Sequence, residues 1–173
     1  MIKLGLLSDT HGRADTARDA VQLLVDHGVD MLIHLGDVGT TAVIDALVVN
    51  HPQGDTQIES HLVFGNTDWE AKPLARYARD LGVIVHEPAG EITIDGKRIV
   101  FTHGHLHSVM QHALDSQVDY LLHGHTHVQS DAMDGKTRVI NPGALFRASR
   151  HTAAILTPST GTLEVLEVAS VPR

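Results

Sequence analysis

The sequence predicts an α/β fold of two packed, mixed β-sheets flanked by helices. Three observations lead there. The first half alternates short apolar runs with segments of helical periodicity, a βαβ series that calls for parallel strands joined by crossovers. The second half repeats strand–turn–strand units, two of them around an Asp-Gly pair. No linker, low-complexity tract or repeat interrupts the 173 residues. Residues 1–173 are therefore expected to form one domain, long enough to bury about 70% of its unfolded surface.

Element by element, residues 2–8 read as a strand. Residues 14–27 follow as a helix, because Ala17, Ala20, Val21 and Leu24 recur at its spacing. A second strand spans 31–35 and a helix 41–49. Pro52 and Gly54 make 51–60 a loop. A third strand at 60–64, a helix at 73–81 and a strand at 83–86 complete the alternating half. Then come hairpins: 91–94 with 98–101 around Asp95-Gly96, and 130–133 with 137–140 around Asp134-Gly135. The last pairs 152–156 with 162–168 across Pro158-Ser159-Thr160-Gly161. A helix at 108–116 separates the first two hairpins.

The chain has no cysteine, which excludes disulfides, thiolate metal sites and a cysteine nucleophile. No apolar run approaches the roughly 20 residues of a membrane span. The first apolar run is too short for a signal segment and ends in Asp9, so a cytoplasmic location is expected and no membrane partner. A formal charge of -8 argues against an extended nucleic-acid surface.

Five polar groups close apolar runs and come with glycines. They are Asp9-Thr10-His11-Gly12, Gly36-Asp37, Gly65-Asn66-Thr67-Asp68, His103-Gly104-His105 and Gly124-His125-Thr126-His127. Strand ends are where α/β sheets keep their ligand crevice. Asp9, His11, Asp37, Asn66, His103, His125 and His127 supply enough oxygen and nitrogen donors for two adjacent metal ions, so the chain reads as a dinuclear metal hydrolase. Asp9 and His11, like His125 and His127, are alternate residues, which in a strand would point the same way. Of the fourteen histidines, His27, His51, His61, His86, His112 and His151 are expected to be solvated or satisfied by the fold, and His34 and His123 to lie near the site without joining it.

The order of these blocks, with Ile140-Asn141-Pro142-Gly143 beyond them, resembles the calcineurin-like metallophosphoesterase superfamily, in particular its small, cap-less bacterial and archaeal phosphodiesterase branch. The resemblance runs from Asp9 to Arg147. It implies the metallophosphoesterase type of α/β sandwich and a metal-dependent phosphoric ester hydrolase, with a small phosphodiester or nucleotide as substrate. It also implies that Asp9, His11 and His127 hold one metal, that Asn66, His103 and His125 hold the other, and that Asp37 bridges them. Two such ions lower the pKa of a shared water, which attacks phosphorus in line. The donors suit Mn, Ni, Fe or Zn, with Mn expected first from the oxygen share and the resemblance.

His105 is expected to line the site, binding substrate or donating a proton. Asn66 is a substrate contact as well as a ligand. Asn141 and Gly143 are expected to bring backbone N–H groups near the site, and Arg147 to neutralise a phosphate oxygen. Many relatives carry His or Cys where this chain has Thr67, and a threonine hydroxyl is too weak an acid to protonate a leaving alkoxide. Either His105 or metal-bound water then supplies the proton, or the favoured leaving groups need none. The competing readings are a nucleotidase, phosphomonoesterase or dinucleoside polyphosphate hydrolase, and a non-catalytic metal-containing scaffold, as in the retromer subunit of this fold. The scaffold is disfavoured because all seven ligands are present. A metalloprotease lacks His-Glu-x-x-His.

Overall fold

Four strands lead into the ligand crevice from one sheet: β1 (Leu4–Leu7), β2 (Met31–His34), β3 (Glu59–Val63) and β4 (Ile84–His86). All four run parallel, joined by α1 (Ala14–Asp26), α2 (Thr41–Ala46) and α3 (Ala71–Asp80). The computed structural model describes residues 1–169. The last four residues of the expected domain lie outside the described residues.

The second sheet holds β5 (Ala89–Ile94), β6 (Lys97–Thr102), β7 (Tyr120–Leu122), β8 (Ser130–Asp134) and β9 (Thr137–Asn141), in the order β5-β6-β7-β9-β8. Its helix α4 (His107–Asp115) joins β6 to β7. The final hairpin, β10 (Thr152–Thr157) and β11 (Thr162–Glu167), joins the first sheet instead, where β10 pairs antiparallel with β1. That sheet reads β11-β10-β1-β2-β3-β4. Among the described residues no helix is long and apolar enough to cross a membrane.

Strand alternation sorts the side chains into three layers of core. Leu4, Leu6, Ile33 and Val63 face Ile99, Phe101, Tyr120, Leu122 and Ile140 across the space between the sheets. Leu7, Leu32 and Leu62 face α1–α3. Val100 and Leu121 face Ala113 of α4. With both faces covered, β1 is buried along its whole length, as parallel strands in such sandwiches are.

The sequence expectations need three adjustments here. The hairpins predicted in the second half form, but β6, β7 and β9 between them are parallel, through a three-residue strand too short to show a period. The first hairpin turn has positive φ at both Asp95 and Gly96, as a type I′ turn requires. In the second, Asp134 pairs with Thr137, so the turn residues are Gly135 and Lys136, with only Gly135 at positive φ. The helix expected over 41–49 stops at Ala46, short of the β-branched pair Val48-Val49.

Candidate metal centre

The carboxyl ends of β1, β2 and β3 meet those of β6 and β7 at one edge of the sandwich, and the five polar blocks come with them. Asp9 and His11 follow β1 in a turn whose N–H groups donate to Gly36 O and Asp37 O, at 3.0 and 2.8 Å. This turn is not strand-like. Asp9 and His11 have φ of 54° and 44°, and His125 and His127 have 69° and 59°. The paired side chains therefore converge through left-handed turns rather than strand alternation. Asp37 has φ 53°. Five of the eight non-glycine residues with positive φ among the described residues are thus predicted ligands. Such conformations cost about 1–3 kcal/mol each and persist where surrounding structure enforces them.

Two glycines permit the close approach. A Cβ on Gly65 would overlap Asp37 Oδ1, and a Cβ on Gly124 would overlap Ser8 Oγ. Asp68 fastens the loops by accepting N–H bonds from Val38, Gly39 and Gly65, at 3.2, 2.8 and 2.8 Å. His34 is fully buried: its Nδ1 accepts Gly36 N–H, so Nε2 carries the proton offered to Thr10 Oγ1 at 3.0 Å. Burial, with the neighbouring His103, pushes its pKa down to about 3, and it stays neutral. It braces the Asp9 turn and does not join the cluster.

Asp9, His11, Asp37 and His127 each present a ligand atom, all within 4.8 Å of one another. His11 Nε2 and His127 Nε2 face each other at 3.3 Å. Asp9 Oδ2 accepts Ser8 Oγ–H at 2.6 Å and His125 N–H at 3.1 Å. Asp9 Oδ1, however, is buried and accepts no hydrogen bond from a described residue. An ionised carboxylate oxygen buried in that way is unfavourable without a cation. The donor set and this orphaned oxygen fit a divalent metal.

On the other side, His103 Nδ1 donates to Leu35 O at 2.8 Å, which leaves Nε2 with its lone pair toward Asn66 Oδ1 at 3.2 Å and Asp37 Oδ2 at 3.5 Å. The His125 ring lies 5.1 Å from that of His103. Asp37 stands between the two groups, with Oδ2 3.4 Å from His11 Nε2 and Oδ1 accepting Thr67 N–H at 3.0 Å. Burial opposes its ionisation, yet His103, when Nε2 also carries a proton, and the Thr67 N–H hold its carboxyl well below the usual carboxylate range. Asp9, Asp37 and His103 form a buried floor, while Asn66 and His125 are exposed, so the crevice opens directly to solvent.

The remaining predicted residues divide. His105 stands 5.4 Å, ring to ring, from His103, and its buried Nδ1 has no partner among the described residues. It lines a cavity of about 350 Å³ with His107, Met110, Leu114, His123 and His125. Burial and the adjacent imidazoles lower its pKa. Gly143 does not offer a free N–H group, because its N–H is taken by Asn141 Oδ1 at 2.9 Å. The Asn141 amide donates to Gly124 O at 2.9 Å and Thr126 Oγ1 at 3.0 Å, which makes Asn141 a brace for the loop carrying His125 and His127. Arg147 lies beyond the cluster, on the Phe146 ring. The sequence analysis assigns no role to Ser8 and Asp68; Ser8 precedes Asp9 and Asp68 closes the Asn66 block, and that adjacency is the available signal.

The chain is similar in sequence and in fold to known phosphodiesterases. Phosphodiesterase MJ0936 of Methanocaldococcus jannaschii is 29% identical over 146 residues, covering 82% of this chain and 83% of that protein. Phosphodiesterase YfcE of Escherichia coli K12 is 28% identical over 156 residues, covering 84% and 80%. The solved structure of an archaeal phosphodiesterase superposes with a TM-score of 0.81 at 27% identity, covering 96% of this chain and 99% of that one. The model of the calcineurin-like phosphoesterase superfamily domain matches residues 2–161, and the chain belongs to that superfamily.

Proposed function

We propose that this chain is a phosphodiesterase with a dinuclear metal centre, working as a single cap-less domain on small phosphodiesters or nucleotides. The observation that carries the reading is Asp37, one buried carboxylate whose Oδ2 stands 3.4 Å from His11 Nε2 and 3.5 Å from His103 Nε2. A carboxylate so placed can serve two cations at once. Asp9, His11 and His127 would hold one ion; Asn66, His103 and His125 would hold the other. Mn is the first choice and Ni, Fe or Zn the alternatives, because the donors are imidazole, carboxylate and amide oxygen without thiolate. Bound there, such ions supply charge that binds an anionic phosphate and activates water at neutral pH.

The chain's own residues do the rest. Ser8 and the His125 N–H fix Asp9 Oδ2, so the carboxylate cannot rotate away from the crevice. Leu35 O fixes the His103 tautomer. Asn66, at the exposed rim, contacts the phosphate, and His105, lining the crevice beside His103, contacts a substrate oxygen. The open crevice suits a diester, whose two arms need two exits. The phosphodiesterase names of MJ0936 and YfcE support the same reading. A cytoplasmic location is part of this proposal.

The test is turnover of bis(nitrophenyl) phosphate and nitrophenyl phosphate by metal-stripped protein given Mn, Ni, Zn or Mg in turn. Metal-dependent cleavage favouring the diester is expected. Binding of two ions with no turnover of either ester would replace this reading with the scaffold.

A further inference from the structure

We propose that Arg13, Phe146 and Arg147 form an anion clamp beside the metal centre that holds the second phosphate of a pyrophosphate diester. This rests on the phosphodiesterase reading and names its substrate class: two phosphates in anhydride linkage, each esterified.

The clamp begins one ring away from a metal ligand. The Phe146 and His11 rings lie 5.3 Å apart, tilted by 51°. The guanidinium carbon of Arg13 sits 4.7 Å from the centre of the Phe146 ring and that of Arg147 5.1 Å from it. Stacking on the ring steadies each cation, but gathering two like charges on one ring is repulsive. Neither is relieved by a carboxylate among the described residues, although the chain carries a net charge of -8. Arg18, Arg98 and Arg138 do each hold one. Two exposed, unpaired forks beside a phosphoester site are suited to bidentate recognition of a phosphate.

The backbone aims them. Arg13 N–H donates to Thr10 O at 2.9 Å and its carbonyl accepts from Ala17 N–H at 2.9 Å, so it is fixed between the ligand turn and α1. Leu145 N–H donates to Ser8 O at 3.2 Å, which ties the Phe146 segment to the residue preceding Asp9. Arg147 has φ 49°, the same left-handed strain as the predicted ligands.

The position of Thr67 points the same way. Its hydroxyl, 3.4 Å from His11 Nδ1, is no acid for an alkoxide. A departing phosphate monoester has a second pKa of about 6 and needs no proton at pH 7. In the reaction water adds its oxygen to the phosphorus in the crevice, and the bond from that phosphorus to the anhydride oxygen breaks. Both electrons go to the clamped phosphate. Two phosphate monoester dianions form, and the two protons of water pass to solvent.

The experiment compares symmetrical dimethyl pyrophosphate, followed by phosphorus NMR, with methyl nitrophenyl phosphate, in wild type, Arg13→Ala, Arg147→Ala and the double variant. The ratio of kcat/KM for the first substrate over the second is expected to fall about tenfold per arginine, with partial return in the lysine variants. Calorimetric titration with symmetrical dimethyl methylenediphosphonate should show a parallel loss of affinity in both metal-stripped and metal-loaded protein. A double variant that keeps the wild-type ratio, or binds the diphosphonate as wild type does, overturns the clamp. Wild type that cleaves neither substrate with any metal overturns the phosphodiesterase reading instead, and the titration then judges the clamp alone.

Discussion

Replacing Asn141 with Ala should loosen the metal centre without touching a ligand. The side chain is fully buried and makes three hydrogen bonds: it donates to Gly124 O and Thr126 Oγ1 and accepts Gly143 N–H. Truncation leaves the Gly143 N–H stranded, while Gly124 O keeps the Thr126 N–H at 2.8 Å and His123 Nδ1 at 3.0 Å, so the folded state should lose about 1–3 kcal/mol. Gly124 and Thr126 flank His125, and His127 follows, so both histidines gain freedom when the brace goes. Loss of an outer partner typically weakens a metal site by about 10–100-fold. Urea unfolding of metal-stripped protein reads the first effect, and Mn titration by calorimetry of the same variant reads the second. Asn141→Asp separates the bonds, because it still accepts Gly143 N–H but turns a carboxylate oxygen toward the Gly124 carbonyl. An Asn141→Ala protein that loses stability yet binds Mn within about twofold of wild type would refute the brace, since a loop held by other contacts would not feel the change.

Other outcomes follow from the same geometry. Asp37→Asn should lower occupancy at both metal positions, whereas His127→Ala should empty one; metal analysis in saturating Mn decides, and two tightly held ions in Asp37→Asn would remove the bridging role. Wild type should cleave aryl diesters far faster than alkyl diesters, and Thr67→His should narrow that gap by about a hundredfold; equal wild-type rates on both, with His105→Ala losing only the alkyl activity, would make His105 the acid. His34 is neutral in the fold, with its pKa pushed down to about 3 from 6.5. The unfolded chain therefore binds a proton that the folded chain refuses, and stability drains away as pH falls from about 6.5 toward 3, by up to about 5 kcal/mol. Urea titrations of metal-stripped His34→Gln should show a flatter slope over that window, and a slope equal to wild type would rule His34 out as the source.

The sequence by itself determined the elements and the chemistry. Short apolar runs, turn pairs and helical spacing placed the strands and helices, and the polar blocks at strand ends named Asp9, His11, Asp37 and His127, which the fold brings within 4.8 Å. These were legible because hydrophobic period and motif order are local. What only the tertiary structure decided depends on pairing between distant segments. β7 is three residues long and acquires its parallel neighbours from β6 and β9, and β10 crosses to the first sheet because β1 has an open edge there. Asn141 looked like a substrate contact in sequence and is a brace in space, because its partners at Gly124 and Thr126 are 17 and 15 residues away. Arg13 and Arg147, 134 positions apart in number, share one aromatic ring for the same reason. A side chain's role follows from which groups are left unpaired around it, and that is settled only when both sheets have closed on the crevice.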